Sequence, residues 1–106
     1  GCTIRINGTV QPFEHGADQQ FGYLLDDKDK LQGIVPLAGI DAAATSLEAL
    51  LALQVEQHAT VFSDAPLRDV IKQVADAAYP VPVVNRNGAF CGTISKDQLL
   101  QTLSHS

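Results

Sequence analysis

The stretch 79-YPVPVVNRNGAFCGTISKDQLLQTL-103 decides the reading of this chain. It reads as strand, hairpin turn, strand and helix. Val81, Val83 and Val84 are β-branched and open a short apolar run. Residues 85–88 form a turn, because Asn87 and Gly88 are the residue types that accept positive φ between strands. Residues 89–94 are the return strand. Ser95 stands where a helix N-cap belongs, and Asp97 suits the positive end of the helix that follows. Leu99, Leu100 and Leu103 are its predicted apolar stripe. Pro80 and Pro82 cannot donate to a ladder, which confines their strand to an edge or places them among its first residues.

The same unit occurs earlier, without a gap. Residues 23–40, YLLDDKDKLQGIVPLAGI, lie 59 positions before residues 82–99, PVVNRNGAFCGTISKDQL. Leu24 and Leu25 match Val83 and Val84, Gly33 matches Gly92, and Ile40 matches Leu99. A repeat of this period is a supersecondary unit that buries its apolar face against its copy. One domain of two halves is expected.

An apolar strand, a polar turn, h-x-G-h-h-[ST] and a short helix, in that order, resemble the CBS (cystathionine-β-synthase) domain, which occurs in tandem pairs. The second copy matches across residues 66–103. From Phe21 onward, FGYLLDDKDKLQGIV, DAPLRDVIKQV and the quoted stretch are similar to the C-terminal regulatory region of ATP-binding subunits of glycine betaine/L-proline ABC transporters. The resemblance implies an α+β fold. This is a tandem CBS pair of two β-β-α units with pseudo-twofold symmetry, one Bateman-type domain over residues 1–106. The first copy, about 1–54, is degenerate; the second is about 55–106. It also implies a non-catalytic regulatory module for osmoregulation and amino-acid transport, coupling ionic strength or another cytoplasmic signal to transport. Its implied partners are its own ATPase domain and a permease, through the parent chain, and a second copy in a homodimer. The implied location is cytoplasmic, peripheral to the inner face of the membrane. The alternatives are an adenine-nucleotide or cyclic-dinucleotide sensor from another protein, or a pure dimerisation domain.

Composition bounds these readings. The 106 residues suffice for a single core, and 45% hydrophobic content is ordinary for a globular chain. No apolar run reaches the ~20 residues that cross a bilayer, so no direct membrane insertion is expected. Residues 1–10 lack the basic and apolar regions of a signal peptide. The abrupt start at Gly1 is what a segment of a longer protein would show. A net charge of −5 argues against nucleic acid and anionic membrane as partners. Cys2 and Cys91 stand at no metal-ligand spacing, and Cys91, within a strand, is expected to be a buried reduced thiol.

Along the chain, residues 2–6 read as a first strand. A CBS copy places a helix after it, but Gly8, Pro12 and Gly16 interrupt any helical period in residues 8–18. Residues 21–25 and 31–35 are the first hairpin, ended by Pro36. Residues 37–44 are expected to be a helix weakened by Gly39. Residues 46–53 are a second, capped by Ser46, with Leu47, Leu50 and Leu51 as its stripe. Residues 58–62 are a short strand. Ser63 or Asp64 is the expected cap of the next helix, with Pro66 in its first turn. Leu67, Val70, Ile71 and Val74 are spaced as one face of that helix, which should end near Ala78.

The site candidates are few. Nucleotide-binding CBS copies carry G-h-h-[ST]-x-x-[DN], in which the hydroxyl faces phosphates and the carboxylate bonds ribose. The second copy has Ser95 in place, Gln98 at the ribose position and Asp97 one residue early, rotated ~100° away. The first copy has Pro36 and Gly39 instead. The candidate ligand-binding residues are therefore Ser95, Gln98, Asp97 and Pro82, with adenine nucleotide as candidate ligand. Ser95 as a plain N-cap is the bland alternative. His15, His58 and His105 are isolated, and no H-E-x-x-H, G-x-S-x-G or phosphate loop occurs, so no catalytic residue is expected. Asp26, Asp27 and Asp29 lack the ligand series of a calcium loop and are expected to be turn residues salt-paired beside Lys28 and Lys30. Neither metal nor cofactor is expected. The helices at residues 66–78 and 96–103 are the candidate dimer surface.

Overall fold

The computed structural model describes residues 2–42 and 44–104, which form two compact units, Gly1–His58 and Ala59–Ser106. The chain is α+β. Unit 1 holds β1 (Cys2–Arg5), β2 (Phe21–Leu25), β3 (Leu31–Pro36) and α1 (Leu47–Leu53). Unit 2 holds β4 (Val61–Phe62), α2 (Leu67–Asp76), β5 (Val81–Val84), β6 (Phe90–Ile94) and α3 (Lys96–Ser104). Each unit has its own three-stranded sheet, ordered β1-β2-β3 and β4-β5-β6. In each, the first strand runs parallel to the second, and the second pairs antiparallel with the third.

The 59-residue repeat is exact at the hairpin tips. Asp26 Oδ1 accepts the Lys28 and Lys30 N–H groups at 2.8 and 2.9 Å; Asn85 Oδ1 accepts those of Asn87 and Ala89 at 2.9 and 3.0 Å. These are Asx turns, in which a side chain stands in for backbone acceptors. The following tip residue takes positive φ in both, 63° at Asp29 and 85° at Gly88. The bulge recurs too, between Leu24 and Leu25 and between Val83 and Val84. Each tip is then tied to its unit's parallel strand by one arginine pair. Arg5 on β1 bonds Asp29 and the Asp26 carbonyl, whereas Asp64 after β4 takes Arg86 through both carboxylate oxygens at 3.0 Å. Asp29 thus pairs with Arg5 of β1 and not with Lys28 or Lys30 as expected, Arg5 being held at the tip by the Asp26 carbonyl as well.

The core of unit 1 gathers Cys2, Ile4, Leu24, Val35, Leu37 and Leu50. The alternation of β1 puts Cys2 and Ile4 inward with Thr3 and Arg5 outward. Gly22 lies under this layer: a Cβ there would meet Ile4 Cδ1 at 2.7 Å and Leu37 Cδ2 at 3.1 Å, so a larger residue would have to displace the ends of those two side chains. The core of unit 2 is Val61, Val74, Val81 and Leu99, flanked by Val70, Ile71 and Ile94.

Five expectations are corrected. Residues 37–42 and 44 are short turns joined by irregular chain, not a helix. Pro36 ends β3, Leu37 N–H donates to Gln20 carbonyl at 2.8 Å, and Gly39 at φ 78° reverses the chain. Ala43 lies outside the described residues. The cap of α2 is Pro66, not Ser63 or Asp64, since the Asp64 carboxylate is held by Arg86. The helix ends at Asp76, two residues short of Ala78. The α3 stripe is narrower than expected: Leu99 is buried, but Leu100 is 63% exposed. Cys91 is exposed on β6, not buried; the inward thiol is that of Cys2. Between β1 and β2, residues 7–20 contain no helix, only an isolated bridge from Ile6 to Val10 and turns, so the first copy is the degenerate one.

Candidate functional site

The chemistry-bearing residues of the quoted stretch converge at the start of α3. Ser95 is the N-cap. Its Oγ accepts the Gln98 N–H at 3.2 Å, and its own N–H donates to Gln98 Oε1 at 2.8 Å. This reciprocal pair is a capping box, which satisfies two backbone donors at once. Gln98 is thereby turned back along its own helix. Accepting from Gln98 uses a lone pair of Ser95 Oγ and not its proton, so the hydroxyl keeps its donor capacity.

Beside the cap runs a groove of about 320 Å³ lined by Ala77, Ala78, Tyr79, Pro80, Ser95, Lys96 and Asp97. It is formed where the chain leaves α2, enters β5 and later enters α3. Tyr79 fixes one wall by accepting the Ala59 N–H at its hydroxyl, 2.7 Å away. The groove therefore joins Ser95 and Asp97, two of the four predicted residues. Gln98 is engaged in the cap, and Pro82 is fully buried in β5; neither lines it. Tyr79, Pro80 and Lys96 were missed from sequence. Their only signal was position, Tyr79 and Pro80 just before β5 and Lys96 as the first residue of α3. The α3 N-terminus and the Lys96 ammonium favour an anion here, and the Asp97 carboxylate favours a hydroxyl or cation.

The two units differ in charge. Residues 1–58 hold eight acidic and three basic side chains, and residues 59–106 hold four of each, so unit 1 carries the whole net charge of −5. At the tips, the backbone N–H of Lys30 holds Asp26 below the usual carboxylate range, helped by the Lys28 N–H and both lysine charges against a desolvation cost. The Arg86 side-chain hydrogen bond and charge do the same for Asp64, again against desolvation. Burial pushes the Cys2 thiol up. Among the described residues no three His, Cys, Asp or Glu side chains come together as metal ligands would, and no helix is long and apolar enough to cross a membrane. His15 lies on the surface near the Gly16 carbonyl, and His105 falls outside the described residues.

The hairpin-plus-helix unit, repeated, is that of a CBS pair, and the family profile described as CBS domain matches residues 53–105. The chain belongs to the CBS domain family. It is 30% identical over 86 residues to the glycine betaine/proline betaine transport system ATP-binding protein ProV of Salmonella typhimurium, covering 81% of this chain and 22% of that protein. The match to ProV of Escherichia coli has the same identity and extent. The chain thus spans about a fifth of the length of the curated relatives it matches. Among solved structures, the cystathionine β-synthase pair domain of a Shewanella oneidensis protein superposes with a TM-score of 0.68 at 17% identity, covering 87% of this chain and 54% of that one. Staphylococcus aureus OpuCA superposes with a TM-score of 0.64 at 18% identity, covering 85% and 78%. These likenesses establish the CBS-pair fold.

Proposed function

We propose that the chain is the regulatory CBS module of an ABC-transporter ATP-binding subunit for compatible solutes such as glycine betaine and proline, without a catalytic step of its own. The observation that carries this reading is the 30% identity over 86 residues with ProV. On this reading residues 1–54 and 55–106 are the two copies of one Bateman-type domain. The parent chain supplies the ATPase domain and contacts a permease. The module lies in the cytoplasm against the inner face of the membrane through that complex, and two copies associate.

Its role is osmoregulatory, and the physics lies in screening. A unit with net charge −5, in a chain whose other unit has none, attracts a basic partner surface at low salt and releases it as salt rises. The Debye length falls from ~10 Å at 0.1 M to ~3 Å at 1 M. Such a switch needs no pocket. Deleting the module from the transporter reconstituted in vesicles should abolish the ionic-strength threshold of uptake; an unchanged threshold overturns the reading. Loss of assembly with the salt response intact would make it a dimerisation domain instead.

The groove beside Ser95 favours a second reading, nucleotide sensing, because it sets a carboxylate, a hydroxyl and a lysine together. Here Asp97, not Gln98, would grip the ribose. Calorimetry with ATP, AMP and cyclic di-AMP tests it: saturable binding that Asp97→Ala removes favours this second function.

A further inference from the structure

Unit 1 carries a groove that the readings above leave unused. Pro12, Phe13 and Glu14 form one wall and Asp41 and Ala42 the other, around about 770 Å³. Both walls are anchored. Phe13 and Ile40 each pack on the unit 1 core, the Cys2 thiol reaches the Glu14 carbonyl at 3.7 Å, and the Ala44 N–H closes a turn on the Asp41 carbonyl at 3.1 Å. Two segments held by one core give a groove whose shape exists before any occupant arrives.

Its chemistry selects the occupant. The surface is apolar at Pro12, Phe13 and Ala42, and the two charged side chains lining it are both carboxylates. Glu14 and Asp41 are exposed, and they belong to the unit that holds the whole net charge of −5. Anions are repelled, and a purely apolar ligand gains nothing from the two acids. A wide, open trough of this size is more than a small cation fills. An arginine or lysine has the required parts: an apolar stem to lie along Pro12 and Ala42, and a cationic head for the carboxylates. Arginine adds stacking on an aromatic face. We propose that this groove docks a basic polypeptide segment, with an arginine stem across Phe13 and its guanidinium between Glu14 and Asp41. The inference holds whether or not the parent protein is a transporter subunit.

The test is an amide NMR titration of the ¹⁵N-labelled chain with the blocked peptide Gly-Arg-Gly-Arg-Gly. Shift changes should centre on residues 12–14 and 41–42. The double variant Glu14→Gln with Asp41→Asn should weaken binding about tenfold, as 0.5 M NaCl should. The control Asp27→Asn with Glu56→Gln removes the same charge elsewhere on unit 1 and should change affinity less than twofold. All four residues are exposed, and the amide spectrum of each variant away from the substituted positions checks that the fold is kept. Equal weakening by the control, or shifts spread over the Asp26–Asp29 tip, would reduce the effect to general charge and overturn the proposal. Binding of tetramethylammonium at the same residues with equal affinity would overturn it in favour of a small-cation site, and equal binding of the Gly-Glu-Gly-Glu-Gly peptide would overturn it outright.

Discussion

Unit 1 and unit 2 share a sheet topology, and a hairpin down to individual hydrogen bonds, but differ in what packs against that sheet. Asp26 and Asn85 organise their tips through the same two N–H donors, and the arginine latch is present in both with its polarity exchanged between strand and tip. Beyond the tips they part. Unit 2 sets α2 and α3 against its sheet, whereas unit 1 sets α1 and fills its core from irregular chain, with Val10, Phe13, Leu37 and Ile40. The contrast separates two kinds of determinant. A tip needs one Asx acceptor and one residue tolerant of positive φ, both local, so it survives divergence of the rest. A helix needs a stripe matched to a sheet, and any apolar residue delivered to that sheet can take its place.

The sharpest way to break this contrast is at Leu50, the fully buried residue of α1. Leu50→Ala should cost about 2–5 kcal/mol in denaturant unfolding, and hydrogen exchange should rise first in residues 2–36. Uniform loss of protection across both units would show that unit 1 does not depend on its own small core. Next is the capping box. Ser95→Ala removes the Oγ acceptor of the Gln98 N–H, and Gln98→Ala removes the Oε1 acceptor of the residue 95 N–H; the double variant should cost about 1–2 kcal/mol, whereas Ser46→Ala, which loses the bond to the Ala49 N–H, should cost about 1. Equal losses would mean the reciprocal bond adds nothing.

The positive-φ positions sharpen the comparison of tips. Gly88→Ala meets no atom within 4 Å, so its expected cost of about 1 kcal/mol is backbone strain alone. Gly88→Asn, which tolerates that conformation, should recover much of it in thermal unfolding. A smaller effect belongs to the latches. Arg86→Ala loses Asp64 and the stacking on Phe62, 4.1 Å below the guanidinium, while Arg5→Ala loses only polar contacts. The first should lower thermal stability more, and both differences should shrink in 1 M NaCl, because exposed pairs are weak and screened.

The smallest expected effect is in acid. Asp26 and Asp64 both titrate below the usual aspartate value in the folded chain. Each therefore contributes stability above the unfolded-state pKa and loses it as pH falls through the lowered folded value. Carboxyl NMR should show Asp64 rising to an ordinary midpoint in Arg86→Ala, with Asp26 unmoved.

These same determinants decide what could be read from sequence. The turns and the Ser46 and Ser95 caps were legible because each depends on residues within five positions of one another, and the hairpins and the repeat followed because that local pattern recurs 59 positions on. The CBS fold followed from their order. The segment at 37–44 misled because its apolar residues do serve a core, yet Pro36 and Gly39 deliver them from turns. Cys91 was misplaced because the one-in-two alternation of a strand does not say which side faces inward. At the candidate site, the spacing of Ser95 and Gln98 was visible but its use was not: a capping box and a ribose grip draw on the same residue types, and only geometry shows that Gln98 folds back while Asp97 meets the groove.

The opposite fates of the two cysteines have a practical side. Cys2 is sheltered and its thiol is held in the protonated form by burial, while Cys91 stands open on β6. A maleimide dye should therefore mark unit 2 at one defined atom, and any partner that covers that strand would announce itself as slowed labelling, with no engineered handle required.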